Sequence, residues 1–301
     1  MRIGIDLGGT KIEGITLKNS GEIHQRLRVA TPQNDYPGTL QAITALVSDL
    51  EGRQKGKLSV GICTPGAISP DSGLLRNSNS VCLNRQPLLQ DLERALNRPI
   101  RLANDADCFA LSEASDGAAA EADSVFGVII GTGTGGGIVI KGQLLSGPNA
   151  IAGEWGHNPL PWPNHSELPG PNCYCGKQGC IETFLSGPGL QRDHGQHINS
   201  AEIITAAQAG DRDARATLDR YHDRMARALA SVINIIDPEV IVLGGGLSKI
   251  ESLYTEVPRL WGKYVFSDRV FTHLRPPRHG DSSGVRGAAW LWPSNTSIQD
   301  R

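Results

Sequence analysis

The sequence predicts an α/β protein of two similar lobes with a cleft between them, and three observations carry that prediction. A strand, a glycine turn and a second strand open the chain (MRIGIDLGGTKIEGITL), and the same pattern returns near residue 124 (SVFGVIIGTGTGGGIVIKGQLL). Helix-periodic and strand-periodic segments follow each unit. The 301 residues are enough for two cores of ordinary domain size.

In the first unit, Ile3, Ile5 and Leu7 alternate at period two before the Gly8-Gly9 turn, and residues 12–17 continue as a second β run. Residues 36–50 place Leu40, Ile43, Leu46, Val47 and Leu50 on one helical face. LSVGICTPG reads as a strand ending in a Pro-Gly turn, residues 87–96 as a helix, and IRLAND as a strand running into a helix over residues 106–122. In the second unit, Met225, Leu229, Val232 and Ile236 mark an amphipathic helix over residues 219–236. The turn DPE, the strand VIVLGGG and a short helix over 285–291 follow it. The expected division is a smaller lobe over residues 1–120 and a larger one over 121–284, with the helix within 285–301 packing back on the first. Residues 158–172 hold five of the 18 prolines and read as a loop.

With 39% hydrophobic and 20% charged residues and a net charge of -2, the composition is that of a soluble globular protein. No basic surplus points to nucleic acid or to an anionic membrane. The longest uncharged stretch, residues 124–140, is too short and too glycine-rich to span a bilayer, so the expected location is cytoplasmic. Of six cysteines, Cys173, Cys175 and Cys180 fall together while Cys63, Cys82 and Cys108 stand apart, which favours a metal over a disulfide framework.

GIDLGGTK nearly matches the phosphate loop G-x-x-x-x-G-K-[ST], but Thr10 and Lys11 stand in reversed order and a strand follows instead of a helix. A glycine hairpin can still present backbone N–H groups to an anion, with a hydroxyl and a cation from Thr10 and Lys11. An ordinary tight hairpin is the other reading. GTGTGGG satisfies G-x-G-x-x-G through Gly131, Gly133 and Gly136, yet the next residues again look β, against a dinucleotide fingerprint. Two such hairpins in corresponding positions of two lobes would grip a polyphosphate from both sides.

Across essentially its whole length the chain resembles the ROK family of sugar kinases, within the actin-like ATPase superfamily. The carriers are DLGGTK at residues 6–11, LANDADC at 102–108, GTGTGGG, GEWGHNPLP at 153–161, CYCGKQGCIETFLSG at 173–187, LGGG at 243–246 and HGDSSGVRGAAWL near the end. The resemblance implies two actin-like (ribonuclease H-like) α/β lobes around an active-site cleft, and a homodimer. It implies that Gly4, Asp6, Leu7, Gly8, Gly9, Thr10 and Lys11, with Gly131, Thr132, Gly133, Thr134, Gly135, Gly136 and Gly137, hold ATP phosphates. Gly244, Gly245 and Gly246 would lie near the adenosine.

Phosphoryl transfer to an alcohol needs charge neutralisation and a base for the hydroxyl proton. Asp105 stands where a strand gives way to a helix, whose positive end would keep its carboxylate ionised. A plain N-cap aspartate is the alternative on these residues alone; the resemblance aligns Asp105 with the family's base and Asn104 with a sugar ligand. The family usually reads NDANC, so Asp107 is a departure, read here as a helix-start acid. The resemblance places Glu154, His157 and Glu182 around the sugar, with Gly66 and Asn79 as further lining residues and Asn77 and Asn79 equally readable as turn residues. His157 with C-x-C-x4-C at Cys173, Cys175 and Cys180 offers a complete tetrahedral set for a structural zinc. The catalytic metal expected is Mg2+ carried with ATP, with Asp6 reaching its shell through water.

GHNPLPW, CYCGKQGCIETF and HGDSSGVRGAAWLWP look most like bacterial fructokinases that also accept mannose, so the expected product is fructose 6-phosphate. N-acetylglucosamine and glucose kinases share most of the motifs and are the alternatives. The family's sugar-responsive repressors carry a helix-turn-helix region ahead of the kinase-like part, for which the hairpin at residue 4 leaves no room. A noncatalytic sugar sensor is the remaining reading from another class.

Overall fold

The computed structural model describes residues 1–52, 56–195 and 198–293; of the expected segment 285–301, residues 294–301 lie outside the described residues. β1 (Arg2–Leu7), β2 (Lys11–Leu17) and β3 (Ile23–Ala30) form an antiparallel meander. After α1 (Tyr36–Glu51), β4 (Ser59–Cys63) joins β1 in parallel. The small antiparallel pair β5 (Ala67–Ile68) and β6 (Leu75–Arg76) and helix α2 (Leu88–Leu96) precede β7 (Ile100–Ala103), which runs parallel to β4. The sheet order is β3-β2-β1-β4-β7.

Helix α3 (Asp105–Ser115) follows, and then the plan repeats. β8 (Ser124–Ile130), β9 (Thr134–Ile140) and β10 (Gln143–Leu144) form a second antiparallel meander. An insertion carries α4 (Ile181–Leu185), α5 (Gly187–His194), α6 (Ser200–Ala209) and α7 (Arg212–Ile236). β11 (Val240–Gly244) pairs in parallel with β8, and β12 (His273–Arg275), after α8 (Leu253–Trp261), pairs in parallel with β11. The second order, β10-β9-β8-β11-β12, repeats the first strand for strand. α9 (Ser283–Trp290) is the last helix among the described residues.

Alternation along the strands explains how each sheet is covered. Ile3, Ile5 and Leu7 enter one core with Ile43, Leu46, Val47 and Leu50 of α1. The opposite face of β1 admits a helix backbone, because a Cβ on Gly4 would stand 2.1 Å from the Val285 carbonyl oxygen of α9. On β8, Phe126, Val128 and Ile130 enter the core built on α7, and a Cβ on Gly127 would stand 2.6 Å from Ala110 of α3. Thus α3, which leaves the first sheet, lies on β8 and β9 of the second, and α9, which leaves the second, lies on β1 and β4 of the first. The two helices pack on each other so closely that a Cβ on Gly287 would be 1.7 Å from the Cys108 carbonyl oxygen.

Two helix boundaries differ from expectation. α3 stops at Ser115, not 122, because the Glu113 carboxylate reaches forward to accept the Ala118 amide at 2.8 Å and turns the chain at Gly117. α7 starts at Arg212 instead of 219, where the Asp211 side chain caps the Ala214 amide at 2.8 Å. The proline-rich loop is anchored by buried charge. Glu167 accepts Arg224 Nε at 2.7 Å and two Arg227 nitrogens at 2.8 and 3.0 Å, and Arg227 also donates to the Trp162 carbonyl at 2.9 Å. Among the described residues no helix is long and apolar enough to cross a membrane.

Candidate active site

Because β1, β4 and β7 are parallel, their carboxyl ends share an edge and deliver Asp6, Cys63 and Asn104 together. The matching ends of β8 and β11 deliver the turn at Gly131 and the loop at Gly245. The first hairpin exposes Gly9, Thr10 and Lys11, and is braced from behind: Thr31 Oγ1 donates to the Gly8 carbonyl at 2.7 Å and Gln33 Nε2 to the Gly9 carbonyl at 2.8 Å. In the second, Thr132 is exposed, the Gly187 amide donates to the Gly131 carbonyl at 2.7 Å, and the Thr134 amide donates to Glu182 Oε2 at 2.9 Å. Gly245, with a φ of 82°, packs on the Ile130 carbonyl, which sets the exposed Gly245-Gly246 backbone beside this hairpin.

Several expected phosphate-binding residues lie elsewhere. Gly4 is buried in the middle of β1 against α9, and Leu7 is a core side chain. Gly136 and Gly137 are buried within β9, against Phe126 and α3, and Gly244 is buried against the Phe109 ring. Gly135 is half-buried at the start of β9, where its carbonyl accepts the Trp155 indole N–H at 3.0 Å. These glycines make room for neighbouring backbone and rings, a demand that looks identical in sequence to close approach by a phosphate. Gly66, with a φ of 85°, turns the chain onto the Arg76 carbonyl, and Asn79 is exposed in the loop whose Ser80 lies beside Gly9.

Asn104, not Asp105, is the N-cap of α3: its side-chain oxygen accepts the Asp107 amide at 2.7 Å. Asp105 is the first helical residue, and its side chain is open to the cleft. The expected depression of its carboxyl by the helix end is outweighed. The surrounding protein pushes the carboxyl up, and the amides of Ala106 and of Asp105 itself oppose that only in part. Burial also raises Asp6, helped by the charges of Glu13 and Asp105 and opposed by the Cys63 thiol, which donates to it. Asp107, half-buried, is pushed up to about 7 by burial and then by the charges of Glu154 and Asp105.

Glu154 is exposed and is held by its neighbour: Trp155 is buried, stacks edge-on against Phe126 at 5.5 Å and hangs from Gly135. His157 and the three cysteines place one donor atom each within 4.8 Å of one another. His157 Nδ1 lies 3.6 Å from Cys173 Sγ, and Cys175 Sγ lies 3.7 Å from Cys180 Sγ. Tetrahedral zinc with thiolates at about 2.3 Å sets sulfurs about 3.8 Å apart, so the donor set fits a closed zinc site. The other imidazole nitrogen, Nε2, is engaged by the Tyr174 hydroxyl at 3.0 Å. Sequence reading missed Tyr174. Its side chain is exposed, and its ring packs edge-on against the His157 imidazole at 5.1 Å.

A cavity of about 1000 Å3 adjoins this constellation, lined by Asn104 and Asp107 from α3 and its cap, by Lys141 and Leu144 from the second sheet, and by Arg101, Trp290 and Trp292. Neither hairpin nor Asp105 lines it.

This arrangement of two sheets and two hairpins can be compared with known proteins. Residues 2–295 match the ROK family. The chain belongs to the ROK family. Its fold is the two-sheet α/β fold of ROK kinases in the actin-like ATPase class. A ROK hexokinase from Thermus thermophilus is 32% identical, with a TM-score of 0.85 over 96% of this chain and 97% of that one. A ROK family glucokinase from Streptomyces griseus, solved with glucose and AMPPNP, is 28% identical, with a TM-score of 0.74 over 96% and 98%. The N-acetyl-D-glucosamine kinase of Escherichia coli O139:H28 is 38% identical over 299 residues, covering 97% of this chain and 99% of its own.

Proposed function

We propose that this ROK family sugar kinase transfers the γ-phosphoryl group of ATP to the primary 6-hydroxyl of a hexose, with Asp105 as the base. The observation that carries the reading is the juxtaposition at the strand ends: a solvent-open carboxyl at the start of α3, with Asp6 and a braced glycine hairpin on one sheet and a second glycine hairpin on the other. Gly8, Gly9, Thr10 and Lys11 would hold the phosphates from one side, and Gly131, Thr132 and Gly133 from the other. Gly245 and Gly246 would border the nucleoside. The raised Asp105 carboxyl accepts the hydroxyl proton more readily near neutral pH than an ordinary aspartate would.

On the sugar side, Asn104 spends its side-chain oxygen as a helix cap and so offers its NH2 group to a hydroxyl. Glu154, Glu182, His157 and Tyr174 complete the wall, and such a polar wall rejects substrates that leave it unpaired. Asp6, at the carboxyl end of β1, and Asp105, at the start of α3, are the carboxylates that fit a divalent cation arriving with the nucleotide, since Glu13 is already paired with Arg28 at 2.6 Å. Bound Mg2+ would supply charge neutralisation to the transferring group, with Asp6 reaching its shell through water. A zinc ion held by His157, Cys173, Cys175 and Cys180 would be structural, since these four donors would leave no open position.

N-acetyl-D-glucosamine is the first candidate sugar, supported by the 38% identical relative that matches end to end. Fructose is the second, supported by GHNPLPW, CYCGKQGCIETF and HGDSSGVRGAAWLWP. An ATP-coupled assay across N-acetylglucosamine, fructose, mannose and glucose separates them through kcat/KM. Turnover of none of these sugars would overturn the kinase reading in favour of a sugar-binding protein without catalysis.

A further inference from the structure

Glu113 is fully buried near the end of α3, and its carboxylate takes four hydrogen bonds. Oε2 accepts the Ala118 amide at 2.8 Å and the Arg278 amide at 3.0 Å. Oε1 accepts the Ser283 hydroxyl at 2.9 Å and the His279 amide at 3.3 Å. A buried carboxylate is tolerated when its lone pairs are met in this way. Turning the chain after α3 uses the Ala118 bond alone. The other three donors come from residues 278–283, the turn that leads into α9 and the first residue of that helix.

What α9 presents at that start is a seat for Asp6. Gly284 follows Ser283, and a Cβ added to it would stand 3.2 Å from Asp6 Oδ2 and 3.6 Å from Cys63 Sγ. Asp6 and Cys63 are register partners on the parallel strands β1 and β4, so their side chains share one face of the sheet. It is the face on which Gly4 and Gly61 admit the α9 backbone: a Cβ on Gly61 would stand 1.9 Å from the Ala288 carbonyl oxygen. The turn ahead of α9 is tied down twice more. Arg26 Nη2 donates to Ser282 Oγ at 3.1 Å, and Asp116 Oδ1 engages His279 Nε2 at 3.0 Å. Glu113 thus reaches the Asp6 carboxyl through two consecutive residues, one bonded to it and the next in contact with Asp6. Its own helix begins with Asp105.

We infer that Glu113 is a positioning residue for Asp6: it pins the first turn of α9 to α3, and the bare Gly284 of that turn sets where the Asp6 carboxyl rests relative to Asp105. The inference rests on the reading of Asp6 as reaching the shell of the Mg2+ that arrives with ATP. Being fully buried, Glu113 touches no substrate and acts through Ser283 and Gly284. Groups that orient a carboxylate near a metal act strongly on metal affinity without binding the metal themselves.

The test compares calorimetric affinities for the nonhydrolysable ATP analogue AMPPNP with and without Mg2+, and so needs no turnover. In wild type Mg2+ tightens binding. Gly284→Ala keeps every Glu113 bond but crowds Asp6; in it that gain falls about tenfold, while affinity without Mg2+ stays within about twofold of wild type. Glu113→Gln keeps the volume but turns an NH2 group toward two of the four donors, and it gives the same loss. Ser283→Ala removes one donor and gives a smaller loss of about threefold. A glutamate with a merely structural role lowers Tm on substitution and leaves the Mg2+ gain where it was. That outcome in Glu113→Gln overturns the inference, as does a wild-type Mg2+ gain in Gly284→Ala. If Glu113→Gln does not fold, Gly284→Ala decides alone. Asp6→Asn tests the underlying reading. An unchanged gain in Asp6→Asn removes Asp6 from the metal's shell, and the inference with it. A gain lost in Asp6→Asn but kept in Glu113→Gln and Gly284→Ala removes only the role given to Glu113. A protein that binds no AMPPNP overturns the kinase reading.

Discussion

Glu182 Oε2 accepts the Thr134 amide at 2.9 Å, which ties a proposed sugar ligand to the first residue after the second glycine hairpin. On the proposed reading one carboxylate serves both the sugar and the phosphate hairpin. Glu182→Gln keeps an oxygen for the Thr134 amide and should raise mainly the sugar KM. Glu182→Ala leaves that amide without its acceptor and should raise the KM of both sugar and ATP by about tenfold. Steady-state kinetics with each substrate varied decides it; an alanine variant with an unchanged ATP KM would break the proposed link.

Asp105→Asn removes the proposed base without removing the side chain's bulk. The expected result is a fall in kcat of at least about 100-fold with sugar binding retained, measured by turnover and by calorimetric titration with sugar. The wild-type acid limb should also lie above the usual carboxylate range. Asp105 is raised in the folded enzyme and must be ionised to accept a proton, so activity is lost as pH falls through that raised value. Wild-type turnover in the variant would dismiss Asp105 as base.

Elemental analysis should find about one zinc per chain. Removing it with a chelator, or substituting Cys175→Ser, should raise the sugar KM before it affects ATP binding, because the cluster holds His157 and the Tyr174 hydroxyl that bonds it. A folded, fully active and metal-free protein would refute the ligand set.

The Glu167 carboxyl is drawn upward by burial, but hydrogen bonds from Arg227, Arg224 and the Asn164 amide outweigh this and hold it at about 2. Its folded value is depressed, so its contribution to stability is complete above the ordinary glutamate range and is lost as pH falls toward 2. Glu167→Ala leaves two buried arginines without their shared partner and should cost about 3 kcal/mol. Denaturant unfolding at pH 7 measures this; a loss below about 1 kcal/mol would mean the network contributes no more than an exposed pair.

The residues proposed for catalysis and for zinc carry local signals in the sequence. Asp105 follows directly on a strand, the zinc donors sit in one short spacing with His157 upstream, and the hairpin tips are marked by adjacent glycines. The sugar side carries fewer. Tyr174 has no signature of its own inside C-x-C, and its hydroxyl reaches His157 only because the metal-site turn folds back on the GEWGH segment. Asp107 read as a helix-start acid, since nothing in its neighbours announces that α3 packs on β9 and turns this residue toward a large cavity.

What the sequence by itself determined is the pair of strand, glycine turn, strand units and the chemistry each presents, because period, turn residues and donor spacing act over a few residues. What only the tertiary structure decided is which glycines face a phosphate and which make way for a helix. Gly4 and Gly9 are equivalent as letters, yet one lies under α9 and the other on an exposed turn. The crossing of α3 and α9 between the sheets made that choice, and it depends on which face of each strand a distant helix comes to cover.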